Sequence, residues 1–293
     1  MPRMPKLVCV VIPVYQAFEK LSPSEVVAWR QCLRVLNQHP ISIVCPPHLS
    51  TEPYLADARQ HGVQGYVNTF AADFFNGIDG YNRLLLRREF YQAFQEYQYM
   101  LLYQLDAFVF RDELATWCAR GYSYIGAPWF TDYRADDDTA QLWKVGNGGF
   151  TLRNVADALR VLKTFAPARA WSAVVQEHFQ GGVNNGLLHL PGLLRALVGN
   201  NTHWRLNGFH RYRALHQEDY FWGVVCPERF SWYKVPTPKQ ALAFSFEVRP
   251  SRMYALNQQH LPMGCHAWEK HEPYFWQPFI EQAISQKGVN NPS

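Results

Sequence analysis

Leu7-Val-Cys-Val-Val-Ile12 is a continuous apolar run, and its continuity constrains the chain more than any other feature. A strand with one wet face alternates apolar and polar side chains. A short run that is apolar on both faces belongs in a sheet covered on both sides, the usual setting of a parallel strand. The segments that follow keep one rhythm. Ser22-Pro-Ser-Glu25 has the form of a capping box with proline at the first helical position. Val26, Trp29, Leu33 and Leu36 then recur at helical spacing, and Pro40 stops the helix. Ile41–Cys45 reads as a second strand, closed by Pro46-Pro47. A short helix from about Glu52 to His61 ends at Gly62, and Tyr66–Phe70 reads as a third strand. A long helix over roughly Tyr81–Tyr97 precedes a fourth strand, Tyr99–Leu105. Strand and helix thus alternate over the first 110 residues, which predicts an α/β fold with a parallel-type sheet and helices on both faces.

The second half is less regular. A helix from Asp112 to Arg120 ends at Gly121, and Tyr124–Trp129 leads into a polar loop that holds Asp136-Asp137-Asp138. Helical stretches around Val155–Phe165, Trp171–Phe179 and Leu187–Val198 follow, with Gly/Asn-rich joints at Gly181–Gly186 and Gly199–Asn201. With no repeat or linker, residues 1–293 read as one domain whose halves, about 5–110 and about 111–285, share a sheet.

Composition narrows the class of function. At 48% hydrophobic and 15% aromatic positions the chain is too apolar to be disordered. Its net charge of +4 is spread without any Lys/Arg run, which argues against nucleic acid as a partner. The longest apolar stretch, Leu7–Tyr15, is far short of the ~20 residues that cross a bilayer. Pro13 interrupts it and no small-residue cleavage site follows, so a buried strand is expected rather than a leader or a transmembrane segment. Six scattered cysteines with no C-x-x-C pair predict neither disulfides nor a zinc site, and a reduced, cytoplasmic setting fits them. Of ten tryptophans only Trp29 precedes Asp106, so the aromatic excess belongs to the second half.

Four positions stand out chemically. Asp106 lies just past the fourth strand, where open α/β sheets place ligands, and its carboxylate suits a divalent cation; capping the next turn is its other ordinary use. Val145-Gly-Asn-Gly-Gly-Phe-Thr-Leu152 allows a ligand close to the backbone or forms a tight turn. It lacks the lysine and the spacing of a phosphate-binding fingerprint. Glu218-Asp219 enters an aromatic stretch. Adjacent carboxylates do not share a helix face, so one is expected at a site and the other in a structural role, unless both are merely an acidic first helical turn. His266, between Cys265 and Trp268, reads as a metal ligand or a packed imidazole. Arg83, Arg87 and Arg88 reach a phosphate or form an exposed basic face.

Taken in order, several blocks resemble a GT-A glycosyltransferase. The blocks are Val10-Val-Ile-Pro-Val-Tyr15, Gly80-Tyr-Asn-Arg83, Tyr103-Gln-Leu-Asp-Ala-Phe-Val-Phe110, Tyr124-Ile-Gly-Ala-Pro-Trp129, Gly146-Asn-Gly-Gly-Phe150, Glu218-Asp219 and Gly264-Cys-His-Ala-Trp268. They are most similar to a bacterial family described only as a domain of unknown function and related to family-2 glycosyltransferases. The resemblance implies a GT-A-like mixed sheet flanked by helices, with a nucleotide-binding first half and an irregular donor-sugar and acceptor half. It places Pro13, Val14, Tyr15, Asn82, Arg83, Gln104, Asp106, Gly148 and Gly149 at a nucleotide-sugar site. Gln104-Leu-Asp106 stands where such enzymes carry a D-x-D motif, with glutamine in place of the first aspartate. Asp106 and His266 would hold Mn²⁺ or Mg²⁺, and Glu218-Asp219 would supply the catalytic base of an inverting transfer, with Asp219 the choice. The implied partners are a nucleotide-diphosphate sugar donor and a glycan or glycolipid acceptor, such as a bacterial surface polysaccharide, with peripheral membrane association compatible. A non-catalytic carbohydrate- or nucleotide-sugar-binding protein on the same fold is the alternative that Gln104 raises. On the enzyme reading, second-half aromatic rings would face sugars.

Overall fold

β1 (Lys6–Pro13) carries the continuous apolar run, and every residue from Val8 to Pro13 is buried. The computed structural model describes residues 5–131, 139–163, 171–180, 182, 190–191 and 217–285. The expected Asp136–Asp138 loop, the Gly199–Asn201 joint and most of the Gly181–Gly186 and Leu187–Val198 segments lie outside the described residues. β1 pairs in parallel with β2 (Ile41–Cys45) and, on its other side, with β4 (Tyr97–Tyr103); β3 (Gly65–Thr69) extends the sheet from β2. β5 (Phe108–Val109) closes the first half, and further strands come from the second: β6 (Tyr124–Ile125), β7 (Pro128–Phe130), β8 (Leu142–Val145) and β9 (Phe150–Asn154). β9 runs antiparallel to β4, and β6 antiparallel to β9. The result is a six-stranded mixed sheet of order β3-β2-β1-β4-β9-β6, drawing strands from both halves of the chain.

Both faces are covered because alternate side chains of every central strand are apolar. Val8, Val10, Ile12, Ile41, Ile43 and Leu101 pack against α1 (Pro23–Val35), α2 (Glu52–Gln60) and α5 (Leu114–Ala119). Cys9, Val11, Val44, Met100 and Leu102 pack against α3 (Gly77–Leu85), α4 (Arg88–Gln92) and α6 (Val155–Lys163). Each such buried aliphatic side chain stabilises the fold by about 1.5–3 kcal/mol. The capping box is formed: Ser22 Oγ accepts from Glu25 N–H at 3.2 Å, and Ser22 N–H donates to the Glu25 carboxylate at 2.8 Å. Mixed sheet and flanking helices give the architecture that the GT-A resemblance implies.

The long helix over Tyr81–Tyr97 is not formed; the chain makes the shorter α3 and α4 instead. The Leu85 carbonyl, which would continue the helix, accepts from Tyr91 Oη at 3.0 Å and from Trp222 Nε1 at 3.3 Å. β4 also starts two residues earlier than the sequence indicates and ends at Tyr103, so that Gln104 and Asp106 both lie beyond it.

The remaining elements are α7 (Trp171–His178), α8 (Glu218–Tyr220), a π-helical turn at Phe221–Val225, α9 (Cys226–Arg229), α10 (Pro238–Ala241), β10 (Ser245–Phe246), α11 (Pro250–Leu256), β11 (Gly264–Cys265) and α12 (Pro273–Ser285). β10, β11 and β5 form a small second sheet beside a third core that includes Phe108, Phe246, Met253 and Trp276. All six cysteines are free and buried. Among the described residues no helix is long and apolar enough to cross a membrane.

Candidate active site

β1 and β4 are parallel neighbours, so both end at the same sheet edge, and a cavity of about 580 Å³ opens there. Pro13, Val14 and Tyr15 lead out of β1 into it; Gln104 and Asp106 follow β4; Asn82 comes from α3. Gly148 and Gly149 reach it ahead of β9, Glu218 and Asp219 on α8, and His266 after β11. The cleft therefore gathers every expected site residue except Arg83, whose Nη2 donates to the Asp73 carbonyl at 3.2 Å. Neighbouring helical residues point about 100° apart, so with Asn82 facing the cleft Arg83 faces away.

One end of the cleft is built on His266. Its Nε2 lies 3.1 Å from Gln104 Oε1 and 3.2 Å from Asp106 Oδ1, and its Nδ1 lies 3.0 Å from Glu247 Oε1. Burial alone pushes the imidazole pKa down; the charges and hydrogen bonds of Asp106 and Glu247 outweigh it and raise it to about 10. Burial likewise favours neutral Asp106, but the facing imidazolium holds this carboxyl below its usual range.

Beneath the cleft lies Arg153, at the end of the apolar stretch of β9. Its Nη1 and Nη2 donate to Glu218 at 2.8 and 2.9 Å, its Nε donates to Thr151 Oγ1 at 3.0 Å, and Nη1 also meets Tyr91 Oη at 3.0 Å. The Tyr124 ring lies 5.3 Å from the guanidinium. Burial opposes the charge on Arg153, yet the Glu218 carboxylate raises its pKa further, so the two form an ion pair. Glu218 N–H also donates to Asn82 Oδ1 at 2.9 Å, which ties α3 to α8.

Asp219, next in the chain, has no cation paired with it among the described residues. Burial, then the charges of Glu218 and Glu247, push its pKa up to about 7. A carboxylate that changes protonation near neutral pH is suited to accept a proton from a substrate.

The glycine-rich turn serves the site differently from the close ligand approach considered above. A Cβ on Gly149 would lie 2.0 Å from His266 Nε2, and one on Gly148 would lie 2.6 Å from Glu218 Oε1. The protein's own side chains occupy the space that the missing Cβ atoms leave. Asn147, with φ of 76°, shapes the turn by accepting from Gly149 N–H at 2.8 Å through Oδ1, and Gly149 O accepts from Gln104 N–H at 2.8 Å. The sugar-facing aromatic reading also changes. Trp117, Trp222 and Trp276 are core residues at most 1% exposed, and no tryptophan is among the described residues that line the cleft.

Two residues escape the sequence reading. Glu247 follows a strand just as Asp106 does, but β10 is only two residues long and gives no periodic signal. Arg153 is a lone charge beside an apolar run, a pattern that marks a buried partner without naming it.

A mixed α/β sheet with an acidic, histidine-bearing cleft at the carboxyl ends of its strands defines the class of protein. The chain belongs to the family described as protein of unknown function (DUF5672), which matches residues 64–266 and so spans the site from Asn82 to His266. No curated protein matches it. Among solved structures it is similar to mouse xyloside xylosyltransferase 1 in its apo form, at 12% identity and a TM-score of 0.48, over 88% of this chain and 97% of that one. It is also similar to a glycosyltransferase involved in glycosylation of the major capsid of PBCV-1, at 12% identity and a TM-score of 0.37, over 94% and 99% of the two chains. Core-mannan synthase A from Aspergillus fumigatus in its Mn/GDP form gives 10% identity and a TM-score of 0.38, over 53% of this chain and 61% of that one. At these identities and TM-scores, what those proteins do is not carried over to this chain.

Proposed function

We propose that the chain is a glycosyltransferase that moves a sugar from a nucleoside-diphosphate sugar to a hydroxyl of a glycan or glycolipid acceptor. One observation carries the reading: a single cleft holds both a cation-type donor set and a further carboxylate, Asp219, whose pKa burial and neighbouring charges push up to about 7.

The donor set fits a divalent cation. Asp106 Oδ1, Gln104 Oε1 and His266 Nε2 converge, with the imidazole nitrogen 3.1–3.2 Å from the two oxygens. Carboxylate and amide oxygens with an imidazole nitrogen are a donor set of the kind that could hold such a cation. Glu247 on Nδ1 supplies the outer carboxylate that orients a ligating histidine. Asp106, Gln104 and His266 would thus hold Mn²⁺ or Mg²⁺. Such a cation, when bound, neutralises charge on a diphosphate leaving group.

The protein's own groups divide the rest. Tyr15, at the end of β1, offers a ring that is 64% exposed at the cleft and suits the face of a nucleobase. Residues of about 5–110 thereby serve the nucleotide, while residues of about 111–285 meet the donor sugar and the acceptor. Asp219 accepts the proton of the acceptor hydroxyl as the oxygen attacks from the face opposite the leaving group, so the transfer inverts. Buried free thiols support work in a reducing, cytoplasmic setting.

A screen of nucleoside-diphosphate sugars with Mn²⁺, read by release of the nucleoside diphosphate, tests the reading. Release from at least one donor, stimulated by an acceptor glycan, is expected. Absence of release and of nucleotide binding across all donors contradicts it.

A further inference from the structure

The Arg153–Glu218 pair lies beneath the cleft, sealed from solvent, with side chains 2% and 3% exposed. A buried ion pair is a weak device for stability, since well-packed apolar side chains of similar volume often serve as well or better. Its use must therefore be sought in what it touches. On one side Glu218 Oε1 fills the space that a Cβ on Gly148 would take, in the turn whose Gly149 carbonyl accepts from Gln104 N–H and whose missing Cβ leaves room for His266. On the other side Glu218 is joined covalently to Asp219. α8 is a single turn, and about 100° separates adjacent helical side chains. With Glu218 held inward by two guanidinium contacts and by Asn82 at its backbone N–H, Asp219 is turned away from Arg153 into the cleft.

We propose that Arg153 is a positioning residue: by holding Glu218 ionised beneath the cleft, it fixes both the aim of Asp219 and the negative charge beside it. The inference rests on the reading of Asp219 as the proton acceptor. Arg153 does not meet substrate; it acts through Glu218. Among the described residues, the charged and titratable groups that face Asp219 are Glu218 on its own helix, Arg153 on β9, Glu247 after β10 and, more remotely, Tyr124 on β6. Of these, Glu218 is the largest contributor after burial, and Arg153 acts on Asp219 directly only as a small opposing charge. A sealed arginine thus makes the neighbouring carboxylate more basic, because it keeps a second carboxylate charged at its side. Without Arg153, Glu218 would take up a proton in its buried position and the charge beside Asp219 would vanish.

The test is the double variant Arg153→Met/Glu218→Met, which removes both charges and leaves none buried alone. The Asp219 carboxyl is followed by ¹³C NMR of the full chain labelled at aspartate, with Asp219→Asn identifying its signal. The expected result is a midpoint lowered by about one pH unit or more from the parent value of about 7. A midpoint unchanged from the parent overturns the proposal and leaves the pair a packing element. If the double variant does not fold, the same titration on Glu218→Gln decides: a lowered midpoint supports the proposal and an unchanged one overturns it. Because the readout is a titration rather than a rate, its outcome is separate from whether the donor screen succeeds.

Discussion

The cleft contains two acid–base pairs of opposite character. Arg153–Glu218 is sealed, forked and surrounded by hydroxyls and a ring; Asp106–His266 is open, with the Asp106 side chain 48% exposed. In the first, every strong contact is internal, so the pair acts through its protein neighbours. In the second, Asp106 and Gln104 reach His266 through one nitrogen, and that nitrogen's proton is the single thing a cation would have to replace. Charges that pair in a protein therefore mean different things according to what else can reach them. Asp219 differs from both: it is half-buried, its Oδ1 accepts from Tyr220 N–H at 2.7 Å, and among the described residues no cation pairs with it.

That contrast is open to attack from several sides. The largest expected effect is at Asp219: replacing it by asparagine should lower transfer by about 10²–10⁴-fold with nucleotide binding retained, as measured by initial rates and calorimetry. Transfer at the parent rate would remove Asp219 from the role of base. Breaking the sealed pair by Arg153→Met alone should destabilise the protein by about 3–5 kcal/mol in a denaturant titration, because Glu218 is left buried without its partner. In the open pair, Asp106→Asn should cost at least about tenfold in Mn²⁺ affinity while shifting stability by no more than about 1 kcal/mol. Equal stability losses at Arg153 and Asp106 would erase the distinction between the pairs.

The smallest effect is a pH dependence. The Asp219 carboxyl titrates near 7 in the folded chain, above its ordinary value of 3.8. The folded state thus binds this proton more tightly than the unfolded chain does. The associated stability is complete below about pH 4 and is lost as pH rises through about 7. Asp219→Asn removes this dependence, so its melting temperature relative to the parent should climb between pH 5 and pH 8. A constant difference across that range would mean that the carboxyl is not held protonated by its surroundings.

The sequence was most readable where local pattern decides structure. The run at Leu7–Ile12 and the capping box at Ser22 act through near neighbours, and both form as expected. The break between α3 and α4 was hidden because the Leu85 carbonyl is taken in part by Trp222, 137 positions away. The site shows the same division. Asp106, Asp219 and His266 each carry a modest signal, and their order along the chain made them recognisable together. Arg153 and Glu218 are 65 positions apart, and nothing local marks either as the other's partner. Composition reports an aromatic surplus in the second half without saying which rings are core. Trp117, Trp222 and Trp276 pack inside.

On the proposed function, the cleft binds a nucleoside diphosphate through its Asp106 end. Calorimetric titration with GDP, UDP, CDP and ADP, each with and without Mn²⁺, tests it most directly on the parent chain and Asp106→Asn. At least one nucleotide should bind the parent, more tightly with Mn²⁺, and Asp106→Asn should lose the Mn²⁺ enhancement. Failure of every nucleotide to bind the parent, or Mn²⁺-enhanced binding that survives intact in Asp106→Asn, would contradict it.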